Sequence, residues 1–376
     1  MNFNYSEDQL TIRDAAERIF RDLCADDALR DLYRKEPPFH RELWQALASA
    51  GLLAATLPAE FGGSEMGMTE LGQVLELHGK SVAPIPLVET VVECAMPIAQ
   101  FGGDALKKRV LPGVAGGEIL LSFVRPYQGL RDREPLSVSK QGDSWKLNGA
   151  SALVNYAPLA NGFLVTATSL EGEAWVGYCD ANAAGIEVVA QRSTSAELAG
   201  HISFSNVEVS AENTLAFGEQ ANELLEWQVQ RIYTATAAQQ VGVLAEGLRR
   251  AAEYTNERKQ FGRSISSFQS VAQQAADAWM AIEALRGVYW RALDDLENVG
   301  QAEISARVAK FWIAEAGHVA AHIFLHLHGG MGQDLDYPLH RFFLWAKKNE
   351  IYRGGASTQA AALGALIAAH PERVAV

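Results

Sequence analysis

The stretch ERKQFGRSISSFQ, Glu257 to Gln269, holds the side chains best suited to grip an anion. The planar guanidinium of Arg258 can meet phosphate oxygens with two parallel hydrogen bonds, and Phe261 can cover an aromatic ring or a sugar. The same residues also describe a plain helix end, with cations on its negative pole and a glycine cap. On residue types alone this plainer reading is preferred. A second stretch, HLHGGMG from His326 to Gly332, sets two glycines after a helix, where a ligand can approach the backbone. His318, His322 and His326 recur every four residues on one helical face. No carboxylate or cysteine at a readable spacing completes a ligand set, so a packed or bridging row is expected rather than a metal site. Near the end, EIYRGGASTQ (Glu350 to Gln359) interrupts a helical pattern with Tyr352, Arg353 and a glycine pair.

Three regions must position these residues. Residues 1–118 read as helical: Ser6 and Gln9 form a capping-box pattern, and Leu10, Ile12, Ala16, Ile19, Phe20 and Leu23 share a helical face. A second helical stretch, FHRELWQALASAGLL, ends at the Pro58, Gly62 and Gly63 of PAEFGG, and a third runs around Thr69 to His78. From Ile119 to about Ser210 the chain turns to short β-branched and aromatic runs, which predicts six or seven strands with the clearest hairpin turn at Gln141 to Asp143. From about Asn222 the helical period returns. One very long helix should end at the ERK, followed by helices over roughly 266–296 and 302–328 and then shorter ones. The small residues Ala235, Ala237, Ala238, Gly242 and Ala245 predict a helix packed closely on its neighbours.

The 376 residues suffice for two or three domains, and 48% hydrophobic with 20% charged residues is the balance of a globular protein. A net charge of −13 excludes a nucleic-acid surface, which needs clustered cations. Cys24, Cys94 and Cys179 fit no metal or redox spacing, the polar, acidic start fits no signal or transit peptide, and no apolar run reaches the ~20 residues of a membrane span. A cytoplasmic protein is expected.

The order helical domain, β domain, helical bundle resembles the acyl-CoA dehydrogenase family. The resemblance is carried by LPAEFGGSEMGMTELGQVLELHGK, WKLNGASALV, YTNERKQFGRSISSFQ, HGGMG and IYRGGASTQ, and it covers essentially the whole chain. It implies an α+β fold: an N-terminal helical domain (1–118), a β-barrel-like domain (119–215) and a C-terminal four-helix bundle (216–376). It also implies FAD, bound so that one subunit holds the flavin ring while its neighbour reaches the pyrophosphate and adenosine. By the resemblance, Arg258, Phe261, Gln269, Gly329 and Gly330 match contacts to a neighbour's FAD, and Gln260 and His326 occupy two further contact positions with altered residue types.

The flavin-ring side departs from the family. Where members carry a TEPGAGSD-like loop, this chain reads VRPYQGLRD, with Val124 at the hydroxyl position. A WITN-like strand reads LVNY, leaving Leu153 and Asn155, and Gly355 and Ser357 replace two cofactor-positioning residues. The family's base, a Glu just after a Tyr, is matched by Arg353, which cannot accept a proton. The family's alternative location, at the start of the long helix, holds Gln230 or Ile232, with no base in either. No catalytic residue is therefore assigned. The resemblance implies a non-catalytic subunit of an α2β2 acyl-CoA dehydrogenase, paired with a homologous subunit that carries the Glu. It implies an acyl-CoA substrate, with a steroid side-chain thioester as the best match, and an electron-transfer flavoprotein as acceptor. The alternatives are an active homotetramer with a relocated base such as Glu226, a flavin-dependent oxygenase of the same fold, and a structural partner without cofactor.

Overall fold

The computed structural model describes residues 5–126, 135–299 and 301–373. It divides into two compact units, one of residues 1–30, 68–83 and 233–376, the other of residues 31–67 and 84–232. Within the described residues of the loop matched to TEPGAGSD, Val124, Arg125 and Pro126 are placed; residues 127–134 lie outside them.

The second unit is built on a sheet. Its helices are α3 (Arg41–Ser49), α5 (Met96–Phe101), α6 (Asp104–Ala115) and the end of α2 (Asp26–Tyr33). The strands are β1 (Leu121–Val124), β2 (Ser137–Gln141), β3 (Ser144–Asn155), β4 (Gly162–Ser169), β5 (Ala174–Asp180), β6 (Ile186–Arg192), β7 (Leu198–Ser210) and β8 (Thr214–Phe217). They form one sheet in the order β6-β7-β3-β2-β4-β5-β8, with β1 added parallel to β4. Because side chains alternate along a strand, β4 sends Phe163, Val165 and Ala167 into one core and Leu164 into another. The first core includes Trp145 and Trp175; the second is closed by Ile98, Leu111 and Leu224 from the helices and by Leu57 from a loop. The expected turn at Gly142 and Asp143 joins Gln141 to its partner Ser144. The sheet extends past Ser210 to β8, which pairs with β5.

A nine-residue π-helical segment, Leu87–Ala95, precedes α5 and is buried at every position. It lies against β1, where the Thr90 hydroxyl donates to the Leu121 carbonyl over 3.0 Å and accepts from the Leu121 N–H.

The first unit holds α1 (Glu7–Leu23), α4 (Met68–Ser81), α8 (Gln269–Asp294), α9 (Glu303–His328), α10 (Leu339–Ile351) and α11 (Ala356–Ala369). The 39-residue α7 (Glu219–Glu257) gives residues 219–232 to the sheet unit and the rest to this one. The capping box forms: Ser6 Oγ accepts from the Gln9 N–H and Gln9 Oε1 from the Ser6 N–H. The small residues of α7 meet α4 backbone to backbone. A Cβ on Gly242 would lie 1.9 Å from the Glu76 carbonyl oxygen, and one on Gly79 1.9 Å from that of Gln239. Among the described residues, no helix is long and apolar enough to cross a membrane.

Candidate active site

After α7 the chain makes a tight hairpin of β9 (Lys259–Gln260) and β10 (Arg263–Ser264). Phe261 and Gly262, at φ 52° and 77°, form its tip. The left-handed backbone at Phe261 costs about 1–3 kcal/mol for a residue with a bulky side chain, and the hairpin holds it there with its ring 91% exposed. Arg258 stands at the root of the hairpin, its N–H bonded to the Tyr254 carbonyl. Its exposed guanidinium has no hydrogen-bond or ion-pair partner among the described residues. Gln260 is exposed and its amide donates to the Lys259 carbonyl; Gln269 is exposed as the first residue of α8.

The other expected residues sit at the end of α9. His326 and Gly329 line a pocket of about 510 Å³ together with His322 and with Gln274 and Gln333, two residues that the sequence alone did not single out. Gly329 has φ 58° and ψ −139°, and a Cβ on it or on Gly330 would meet open space. The glycines are thus required by conformation at one position and leave backbone exposed at both. Of the histidine row, His318 contacts Lys347 at 3.2 Å and Glu350 at 3.4 Å, and His322 hydrogen-bonds the His318 carbonyl at 2.7 Å.

The histidine that organises this corner is His328. It is buried, its Nδ1 donates to the Phe324 carbonyl at 2.8 Å, and its Nε2 accepts from the Tyr337 hydroxyl at 3.2 Å. Its ring stacks on Tyr254 with centroids 4.6 Å apart. Burial, opposed by the Phe324 carbonyl, holds its pKa below the ordinary value, so the neutral ring fits both bonds. Tyr254 is also the residue whose carbonyl receives the Arg258 N–H, so one stacked pair joins the hairpin root to the glycine corner. A helical spacing from the buried Phe324 was the available signal for His328.

The Arg353 corner is held as firmly. Arg353 has φ 57° and Gly354 φ 96°. The Arg353 carbonyl accepts from the Tyr233 hydroxyl at 3.3 Å and from the Gln359 amide at 3.2 Å. The buried Lys310 ammonium donates to the carbonyls of Asn349 at 2.8 Å and Glu350 at 3.0 Å. The Arg353 guanidinium lies 5.5 Å from the Tyr352 ring centre. Gly355 precedes α11, and Ser357 is exposed in its first turn.

In the sheet unit, Val124 is wholly buried in the core and offers only a methyl surface. Leu153 has φ 54° and is 46% exposed, next to an irregularity in the β3–β7 pairing. The Asn155 amide donates to the buried Glu89 of the π-helical segment at 3.0 Å. Beside it, the Tyr156 hydroxyl donates to Glu197 at 3.2 Å; burial first, then Glu197 and Glu89, push its pKa well up. On α7, the Gln230 amide donates to Glu226 at 3.3 Å, Ile232 is buried, and the Arg231 guanidinium stacks 3.7 Å from the Trp227 ring centre. Burial lowers the Arg231 pKa to about 10.

The acyl-CoA dehydrogenase N-terminal domain matches residues 6–118 and the acyl-CoA dehydrogenase C-terminal domain residues 218–367. The chain is 33% identical to acyl-CoA dehydrogenase FadE27 of Mycobacterium tuberculosis over 379 residues, 99% of this chain and all of the relative. This protein belongs to the acyl-CoA dehydrogenase family. Members are FAD-dependent oxidoreductases acting on CH–CH bonds, and the family fold has N-terminal helices, a central sheet domain and a C-terminal helical bundle. Two solved structures align over nearly the whole chain. A variant of the Tcur3481-Tcur3483 steroid ACAD has a TM-score of 0.90 at 36% identity, covering 97% of this chain and 99% of that one. The ChsE4-ChsE5 complex from Mycobacterium tuberculosis has a TM-score of 0.91 at 33% identity, covering 98% and 99%. A two-component steroid ACAD and a second two-component complex are thus among the relatives of this acyl-CoA dehydrogenase homologue.

Proposed function

We propose that this chain is the non-catalytic subunit of a heteromeric α2β2 acyl-CoA dehydrogenase that desaturates a steroid side-chain CoA thioester. A homologous subunit supplies the catalytic Glu and the flavin-ring contacts. This chain supplies the arm that closes the partner's FAD site, and an electron-transfer flavoprotein takes the electrons. The observation that carries the reading is the contrast between two corners of one helical unit. On the arm, the Arg258 guanidinium is exposed and without a partner among the described residues, the Phe261 ring projects, and a Cβ on Gly329 or Gly330 would meet open space. At the Tyr352–Arg353 corner, the position matched to the base holds a cation on a left-handed backbone tied down by Tyr233 and Gln359.

The arm residues fit the adenosine and diphosphate end of FAD. Arg258 would fork onto a phosphate, Phe261 would cover a ring, and Gln260, Gln269, His326, Gly329 and Gly330 would complete the contact. When bound, FAD supplies the hydride acceptor for α,β-desaturation of the acyl-CoA. This chain's own residues contribute binding and exclusion of water but no proton acceptor, because the Arg353 guanidinium stays protonated at any working pH. The names of both two-component relatives support the kind of partner, and the name of the steroid ACAD supports the substrate class.

Co-expression with a neighbouring acyl-CoA dehydrogenase gene, followed by flavin-to-chain stoichiometry, tests the reading. One FAD for every two chains is expected. One FAD per chain, or full activity of this chain alone, refutes it.

A further inference from the structure

Several arginines on the helical unit are paired with carboxylates. Arg249 and Arg250 share Glu246, Arg286 meets Glu76, Arg291 meets Asp295, and Arg250 and Arg341 meet Asp26. The hairpin differs from these. Arg258, Lys259 and Arg263 fall within six residues, and none has a carboxylate partner among the described residues. In a chain of net charge −13, such a concentration of uncompensated cations marks a place for an anion.

The hairpin register separates these cations by face. Arg263 pairs with Gln260 and Ser264 with Lys259, and the Ile265 N–H donates to the Arg258 carbonyl at 2.9 Å. Strand alternation therefore puts Arg258, Gln260 and Arg263 on one side and Lys259 on the other. Arg263 is also held in place. Its guanidinium lies 4.1 Å from the centre of the Phe268 ring, which meets Phe261 edge-on at 6.2 Å. A stacked guanidinium keeps its N–H edge free for hydrogen bonding and loses little freedom when an anion arrives.

Resting on the half-site reading above, we infer that Arg263 is a second anion-binding side chain of the arm, gripping with Arg258 the diphosphate of the partner-held dinucleotide. A diphosphate carries its charge on two neighbouring phosphates, and two guanidinium forks on one hairpin face match that pattern better than one. The competing view is a solvated surface arginine resting on a phenylalanine.

The test compares wild type, Arg258→Ala, Arg263→Ala and Arg263→Lys, each in the complex with the co-expressed partner subunit. The readout is the FAD dissociation constant by flavin fluorescence at about 0.05 and about 0.5 M salt. Arg263→Ala should weaken FAD binding about tenfold at low salt, with a smaller difference at high salt. Arg263→Lys should fall between, because it keeps the charge and loses the fork. Wild-type affinity and salt dependence in Arg263→Ala, with Arg258→Ala weakened, would overturn this inference and leave the half-site reading standing. Wild-type affinity in both alanine variants would overturn the half-site reading itself.

Discussion

Lys310 offers the most direct check on how the Arg353 corner is held. Its side chain is fully buried, and its ammonium donates to the Asn349 and Glu350 carbonyls at the end of α10. Burial lowers its pKa to about 7, against the pull of Glu350. The unfolded chain keeps the ordinary lysine value near 10.5. Between those values the unfolded state binds a proton that the folded state does not, so stability rises with pH through that window. The slope is at most about 1.4 kcal/mol per pH unit, and below pH 7 the full penalty of burying the charge is present. Lys310→Met removes that penalty but leaves two carbonyls without their donor, at about 1–3 kcal/mol each. The variant should therefore be clearly less protected than wild type at about pH 9 and close to it at about pH 6. Hydrogen exchange of peptides covering 346–360, corrected for intrinsic exchange rates, measures this in the intact complex. Equal pH dependence in wild type and Lys310→Met would refute the assignment of a buried, titrating Lys310 to this corner.

Four further outcomes are expected. Arg258→Ala should lower FAD retention of the complex about tenfold or more without changing its assembly, read by flavin absorbance after gel filtration. His328→Leu leaves the Tyr337 hydroxyl and Phe324 carbonyl without their partner and should cost about 1–3 kcal/mol, seen in a lower melting temperature together with FAD loss. Arg353→Glu should leave the isolated chain inactive and FAD-poor, since the buried Val124 and the exposed Leu153 still offer no side-chain hydrogen bond; substrate-dependent flavin bleaching by that variant would contradict the proposal. Glu226→Gln should leave the activity of the complex unchanged; loss of turnover would move the base to this chain.

Local signals were the legible ones. The Ser6–Gln9 capping box and the turn at Gly142 and Asp143 each lie within a few residues, where spacing is informative. The strand β8 was not legible, because four residues after a short turn carry no period of their own; they are recruited by β5. The π-helical segment was invisible for the opposite reason: every residue is buried, so no face stands out. Lys310 and His328 sit in the helical pattern of α9, and their importance lies in partners on other elements. The histidine row drew attention to His318, His322 and His326, while the side chain that matters for the fold is two residues further on.

The Arg353 corner is well built for a place proposed to do no chemistry, and α9 explains why. Lys310, in its first half, fixes the end of α10; His328, at its last turn, fixes Tyr254 and so the root of the Arg258 hairpin. Gln240 on α7 links the same elements by donating to the Ile313 and Ala346 carbonyls and accepting from Asn349. A substitution that only exchanges the side chain at position 353 leaves this network intact, because the corner is held through the Arg353 carbonyl. A substitution that loosened the network would disturb α9, and with it the arm. A subunit that keeps only the arm's function must therefore keep the architecture of the corner as well.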